Sequence, residues 1–481
     1  MKPMAMLAVC GAVLAASRVL MAETPLETVL THTKPLTHPL GKRLGLYVWA
    51  ALDVPGTDEQ IARTLTSLHA RGIAACATWR PGKHFEASLA RALRIAAVQK
   101  RLGLRVNVNA NACTYRVFDG SEATAHVDAD GKGFFDTSSA GKVKLGCPFA
   151  IRSRYAAMAE QVEQFVRAYK AKGLPIDFVF ADWEIDGPIE WNEGWAAARR
   201  CTRCRKHVPD IDSFAACQKA FRQVRCETTR ACYVEPVLKH FPKALIGNYG
   251  VYPNDGWRYW YDYFERVPEP KAVGARVDGR GVYRRWPRDE LKLSGYTFAM
   301  PVLYTRHDIW TWYDWPEDDF RWFYALLLQA SSVGKHTPAG VPVVSFVNYT
   351  SCCKPRSKDD PVKPMSAAAW RELLWHALLR GHDALFLWCP ARDVAAEIVP
   401  LHAVFAESLA YADFLENGTP VTFDVPTAPG PVVSGLQLGS RVLVRRTDFT
   451  PATDPVVLRV GKARLEIPRL AGRCRVFTLG E

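Results

Sequence analysis

The sequence predicts an α/β fold: a (β/α)8 TIM barrel followed by a small C-terminal antiparallel β-sandwich module. Three observations carry this. Eight short apolar runs alternate with amphipathic helical stretches between residues 43 and 416, the order expected of a barrel. The length of 481 residues holds a barrel of about 250 residues or more with an appended module. Past Asn417 the pattern changes to short alternating runs (VTFDV, RVLVRR, VVLRV, CRVFTL) broken by Pro and Gly, which reads as antiparallel sheet.

The elements follow in order. Residues 1–22 carry Lys2, an apolar run from about Met4 to Ala16 and small residues near Ala16 and Ala22, the pattern of a secretory signal peptide, so an exported protein is expected. A polar leader covers Glu23 to Lys42. Arg43–Leu52 is the first strand. Thr57 and Gln60 form a capping box that opens a helix ending near Ala70, before Gly72. Ile73–Trp79 is the second strand, His84–Leu102 an Ala-rich amphipathic helix, and Leu104–Ala112 the third strand. A loop rich in Gly, Ser and Asp spans Tyr115–Pro148, and a helix runs from Arg152 to Lys172. The fourth strand opens the stretch IDFVFADWEIDGPIEWNEGW, Ile176–Trp195, and a Cys-rich insertion occupies about 193–240. Strands five to eight are Ala244–Gly250, Tyr296–Tyr304, Val341–Tyr349 and His382–Pro390. Helices are expected at about Phe320–Gly334, Ser366–Arg380 and Asp393–Leu415, while the fifth helix has no clear place among the aromatics after Gly256. The module takes 417–481.

The fourth strand carries the chemistry. Residues two apart on a strand share a face, so Asp182 and Glu184 are expected to project together from its C-terminal end. Neighbouring acids on an apolar strand repel one another and lose solvation, which raises the pKa of one of them. That suits a general acid working beside an ionised partner. Trp183, Trp191 and Trp195 surround the pair, and aromatic walls around paired acids fit sugars. Asp186, Glu190 and Glu193 lie just beyond and could supply a partner acid if the strand ends early. Asp177, near the other end of the strand, is expected to be structural.

Barrel active sites gather at the C-terminal ends of the strands. Those ends offer Trp49, Trp79, Arg80, Asn109, Asn111, Asn348, Tyr249, Tyr304 and Trp388 as substrate-binding candidates, an aromatic and amide-lined mouth with one acidic pair. Arg80, Arg116 and Arg306 could meet an acidic sugar. No Gly-rich phosphate loop, HExxH or GxSxG occurs, so no cofactor or catalytic metal is expected. A retaining glycosidase with two catalytic carboxylates places them about 5 Å apart on different strands. Here strands six to eight end in Tyr304, Asn348 and Trp388. A mechanism in which the substrate's own 2-acetamido oxygen attacks the anomeric carbon needs only one acid at the leaving group and one partner for the acetamide, which D-x-E provides.

Composition limits the partners. The formal net charge is +13, spread without a long basic run and without a nucleic-acid motif, so an acidic polysaccharide is the natural polyanion. No segment after the leader is expected to span a bilayer. Removal of Cys10 with the leader leaves 12 of 13 Cys, an even number compatible with disulfides in an exported chain. Cys201, Cys204, Cys217, Cys226 and Cys232 fall within 32 residues. A CxxC could hold zinc, but the segment has no second CxxC, so local disulfides are the expected use. The vicinal Cys352 and Cys353 are expected to reach separate partners.

The DWE of 182–184 resembles the catalytic strand of the hyaluronidase family. NYGVYPNDGWRYWYDYF (Asn248–Phe264) is similar to that family's fifth-strand segment, and PVLY (301–304) to its sixth-strand end. VPVVSFVNY, then MSAAAWRELLWHALLRGHDALFLW, resembles its last two strands and the helix between them. The resemblance implies substrate-assisted, retaining hydrolysis of a β-linked N-acetylhexosamine. It makes Glu184 the proton donor and then the base for water, and Asp182 the residue that orients the acetamide. Tyr249 and Tyr304 would line the acetamide pocket, with Trp388 as its wall. The cysteine pattern, the insertion after strand four and the C-terminal sandwich depart from the family, so the resemblance implies a reaction class rather than hyaluronan itself. Two alternatives stay open: a two-carboxylate glycosidase on acetamide-free glycans, and a barrel that binds carbohydrate without cleaving it.

Overall fold

A computed structural model describes residues 23–115, 117–137, 144–184, 194–259, 284–285, 287–313, 315–353, 357–451 and 454–480. The expected signal peptide lies outside the described residues, as do Arg116, Asp186, Glu190, Trp191 and Glu193.

The fold is mixed α/β. Nine short parallel strand pieces form two arcs: β1 (Leu46–Val48), β2 (Ile73–Ala74), β3 (Ala77–Thr78), β4 (Asn107–Asn109), β7 (Phe178–Ala181), β8 (Leu245–Asn248), β9 (Val302–Tyr304), β10 (Val344–Asn348) and β11 (Ala384–Leu387). A small hairpin, β5 (His126–Val127) and β6 (Gly133–Phe134), lies between β4 and β7. One arc has the order β9-β10-β11-β1-β2 and the other β3-β4-β7-β8. The expected second strand is therefore two pieces, one in each arc. At the opposite seam the Thr297 N–H donates to the Ile246 carbonyl, Gly250 N–H to Met300 and Met300 N–H to Val251, at 2.8–2.9 Å.

Inward side chains of the strands fill the centre with rings. Tyr47 stacks on Phe178 at 4.7 Å and Phe178 on Phe298 at 4.8 Å, while Phe346 stacks on Phe386 at 4.5 Å. Gly247 leaves the room this needs: a Cβ there would lie 2.5 Å from the Phe298 ring.

The helices form where caps and periodicity place them. Thr57 and Gln60 make the expected reciprocal capping box at the start of Asp58–His69. Helices Phe85–Arg101, Tyr155–Ala171, Asp318–His336 and Ala367–Leu378 match expectation to within about three residues. Of the fifth helix, the described part is the single turn Glu290–Ser294, stopped by Gly295 at φ +77°. The leader is not irregular: Thr24 and Glu27 form a capping box on helix Pro25–His32, whose Val29 is fully buried. The insertion contains helices Gly194–Arg200, Thr202–His207 and Phe214–Thr229.

The helical run Ala391–Asn417 is long and apolar enough, by length and composition, to cross a bilayer, contrary to the sequence expectation. Half of its most apolar 18-residue stretch is buried inside the protein, and its fully buried Glu397 is tied to the loop after β10.

After it come β12 (Thr419–Pro420), β13 (Pro431–Leu438), β14 (Arg441–Asp448), β15 (Val456–Val460), β16 (Ala463–Ile467) and β17 (Cys474–Thr478). They form a four-stranded antiparallel sheet, order β12-β13-β14-β17, and a β15–β16 hairpin. Val442, Val444, Leu458, Val460 and Ile467 are packed between them, which fits a small sandwich module.

Candidate active site

Strand β7 is buried along its whole length and ends at Ala181, so Asp182 and Glu184 sit on the loop that leaves it. The backbone of this loop is held on both sides. The Asp182 N–H donates to the Asn111 side-chain oxygen at 3.1 Å, and the Tyr115 hydroxyl donates to the Asp182 carbonyl at 2.5 Å. The Asn248 amide clamps Trp183, accepting from its N–H and donating to its carbonyl at 2.9 Å each. Asn109 in turn accepts from the Asn111 N–H at 3.0 Å. Asn109, Asn111 and Asn248 therefore fix the position of the acid pair.

Asp182 is 8% exposed, and its Oδ1 has no hydrogen-bond partner among the described residues. Burial, and then the charge of Glu184, push its pKa well above the ordinary carboxylate range. Glu184 is half-buried. A buried carboxyl whose pKa is raised, beside a second carboxylate just past the end of a parallel strand, is placed to move protons.

Rings adjoin the pair. Tyr249 and Tyr304 lie 6.4 Å apart, and Trp388 stacks on Tyr304 at 5.8 Å with the planes 27° apart. Burial raises the Tyr304 phenol well above its usual pKa, with smaller contributions from Tyr249, Asp182 and Glu184, which places this hydroxyl in the field of both acids. Phe346 lies under Tyr249 and Tyr304. Half-buried Trp49 meets Phe180, Phe346 and Phe386 at 6.0–6.5 Å. Trp49, Tyr249, Tyr304 and Trp388 thus belong to one connected aromatic group.

Other candidates sit elsewhere. Trp79 is fully buried against helix Tyr155–Ala171, stacked on Phe165 at 5.0 Å, because its side chain points outward from the end of the second strand. That burial corrects its placement in the mouth. Arg80 is exposed, and its N–H donates to the Ser88 hydroxyl at 2.8 Å. Asn348 is fully buried; it donates to the Trp388 carbonyl at 2.7 Å and accepts from the Cys352 N–H at 3.1 Å, so its amide braces two loops. Trp195 belongs to the insertion, donating to the Ile211 carbonyl at 2.7 Å and packing on Phe214. Asp177 is structural as expected, accepting from the Val106 N–H at 2.7 Å. Among the described residues no disulfide joins the cysteines of the insertion, so the expected local pairing is not seen.

Two supporting groups were not legible in the sequence. Arg225, in helix Phe214–Thr229, donates to the Glu184 carbonyl at 3.3 Å, lies 4.5 Å over the Trp183 ring and pairs with buried Glu290. These partners are 41 and 65 residues away, beyond any local pattern. Glu397 accepts from the N–H groups of Tyr349, Thr350 and Ser351 and from both hydroxyls, at 2.6–3.0 Å. It organises the loop after β10. A Glu in an otherwise apolar helical stretch is the one signal that could have found it.

No family model matches the chain, and no curated protein matches it. Among solved structures it is similar to α-L-fucosidase isoenzyme 2 from Paenibacillus thiaminolyticus, with 13% identity over 79% of this chain and 51% of that one and a TM-score of 0.43. A β-galactosidase from the haloarchaeon Halorubrum lacusprofundi is similar at 12% identity over 76% and 58%, TM-score 0.44. Bee venom hyaluronidase is similar at 14% over 65% and 90%, TM-score 0.34. The chain spans between half and three-fifths of the length of the first two. At these values the likenesses assign neither a family nor a reaction.

Proposed function

We propose that this chain is an exported glycoside hydrolase that cleaves β-linked N-acetylhexosamine in a polysaccharide by substrate-assisted, retaining hydrolysis. The observation that carries the reading is a buried Asp182, its pKa raised, next to Glu184 and beside the ring group of Tyr249, Tyr304 and Trp388. Residues 43–416 form the catalytic unit, in which the two arcs close into an eight-stranded barrel. Residues 1–22 serve as the signal and 417–481 as the accessory module.

The steps follow from the two acids. When the acetamide N–H docks on Asp182, the proton that Asp182 holds passes to Glu184. The acetamide oxygen then attacks the anomeric carbon as the glycosidic bond breaks, and Glu184 gives its proton to the leaving oxygen. Asp182, now negative, balances the charge of the cyclic intermediate. Water opens that intermediate from the vacated side, Glu184 takes its proton, and the configuration is retained. Tyr249 and Tyr304 line the acetamide pocket and Trp388, stacked on Tyr304, forms its wall. Glu397 supports the one-acid mechanism indirectly: this buried acid, next to the loop after β10, is already engaged by five hydrogen bonds and is a poor second nucleophile.

Incubation with hyaluronan, chondroitin, chitin and mucin glycans, with products identified by mass spectrometry, tests the reading. Cleavage at N-acetylhexosamine with inhibition by a thiazoline analogue of the intermediate is expected. Cleavage confined to acetamide-free glycans would point to a two-carboxylate mechanism instead. Binding that survives Glu184→Gln, with no product from any glycan, would point to a carbohydrate-binding barrel.

A further inference from the structure

The thiols of the insertion were expected to pair locally. The fold does something else with two of them. Cys201 caps the N-terminus of helix Thr202–His207, and Cys204 lies within its first turn, so the CxxC turns both sulfurs to one side. That side meets the hairpin after β4. His126 of β5 and Cys147 from the end of the same loop arrive there, and all four side chains are buried.

Their donor atoms converge. The three sulfurs and one imidazole nitrogen all lie within 4.8 Å of one another. Cys147 Sγ is 3.5 Å from Cys204 Sγ, and Cys204 Sγ is 3.9 Å from His126 Nδ1. Ligands at zinc–sulfur distances of about 2.3 Å on a tetrahedron stand about 3.8 Å apart, whereas a disulfide brings its sulfurs to about 2.05 Å. The spacing is that of four ligands around an ion.

The surroundings are built for the same purpose. The Val127 N–H points at Cys201 Sγ at 3.5 Å, the kind of donor that steadies a metal-bound thiolate. The His126 ring stacks on Phe134 at 5.1 Å, which fixes the face it presents. Cys147 is brought in by a backbone approach that only glycine permits: a Cβ on Gly146 would lie 1.9 Å from the Thr124 carbonyl, and Cys147 N–H donates to that same oxygen at 2.8 Å. The helix is also docked on the hairpin by Thr202, which donates to the Val127 carbonyl, and Arg203, which donates to the Ala123 and Ala125 carbonyls.

We propose that His126, Cys147, Cys201 and Cys204 bind one structural zinc ion. A Cys3His set with no open position is a structural site rather than a catalytic one, and three soft sulfurs with one imidazole select zinc among common divalent ions. A disulfide between any two of the sulfurs would leave the third thiol and the imidazole without a role. The ion ties the loop that follows β4 to the insertion that follows β7. Those segments leave the same strand ends that carry Asn111, Asp182 and Glu184, so the metal holds the rim of the candidate active site together.

The full chain, purified after expression with zinc in the medium, is analysed for metal content and for free thiols under denaturing conditions. One zinc per chain is expected, lost in Cys201→Ser/Cys204→Ser. Exchange of zinc for cobalt in the wild-type protein should give sulfur-to-cobalt charge-transfer absorption and the visible bands of a tetrahedral site, a readout that holds even if the double variant does not fold. Chelation should lower the unfolding temperature of the wild type. Trace metal only, with Cys147, Cys201 or Cys204 mapped to a disulfide, overturns the proposal. So does zinc retained in full by the double variant.

Discussion

Asp182 shows how one side chain can link stability to chemistry. Burial and Glu184 raise its pKa, so the folded protein binds this proton more tightly than the unfolded chain does. Between the unfolded value near ~3.9 and the raised folded value, the native state holds more protons, and stability therefore falls as pH rises through that window. Asp182→Asn removes the penalty. It should raise the urea midpoint at pH 7 relative to wild type, narrow the gap near pH 4, and lower kcat by about 10²–10⁴-fold. Parallel urea titrations at the two pH values check the sign. An Asp182→Asn variant no more stable at pH 7 than at pH 4, relative to wild type, would show that this carboxyl is not held protonated. The position of this residue at a strand end was readable from an apolar run closing in D-x-E. Its support was not, because Asn111, Tyr115 and Asn248 come from other strands and loops, and alternation along one strand says nothing about its neighbours.

At the level of elements, local rules placed most helices and misjudged what holds them together. Thr57 with Gln60 marked one start correctly, and the same signature at Thr24 and Glu27 was present in a segment read as leader. The strands are shorter than their apolar runs, because residues beyond the ladder still face the core. The insertion is the clearest case. Its cysteines suggested local pairing, whereas Arg225 reaches across to Glu290 and to the loop bearing Glu184. Both members of that ion pair are buried, so losing one partner leaves an uncompensated charge and costs about 3–5 kcal/mol. Arg225→Leu should destabilise by about that much, and Arg225→Leu/Glu290→Leu by clearly less. Equal losses in the two variants, measured by denaturant unfolding, would show that the pair is not coupled.

Helix Ala367–Leu378 and the residues after it meet the C-terminal sheet along a polar seam. His376 is fully buried there between Ser434 at 2.7 Å and Thr447 at 2.9 Å, with Arg380 and Arg445 nearby, and burial followed by those cations lowers its pKa well below normal. His382 lies between Ser345 and the Ala330 carbonyl, and burial pushes it down to about 4. Both are neutral when folded. Below about pH 6.5 the unfolded chain takes up protons that the native state refuses, so stability falls as pH drops. Urea midpoints should decrease from pH 7 to pH 5, less steeply in His382→Gln. An identical slope in wild type and variant would remove this histidine from the explanation. The alternation of strands and helices and the change of character at Asn417 were legible because each is a periodicity. This seam was not, since its partners lie 54–75 residues apart. In the proposed mechanism the sugar's own amide completes the attack that Asp182 and Glu184 make possible. That step is tested most directly by giving the protein a β-linked N-acetylhexosamine oligosaccharide and its N-deacetylated counterpart in one competition, followed by mass spectrometry. Cleavage of the acetylated chain alone, and none by Glu184→Gln, is expected; equal cleavage of both chains would rule out attack by the acetamide.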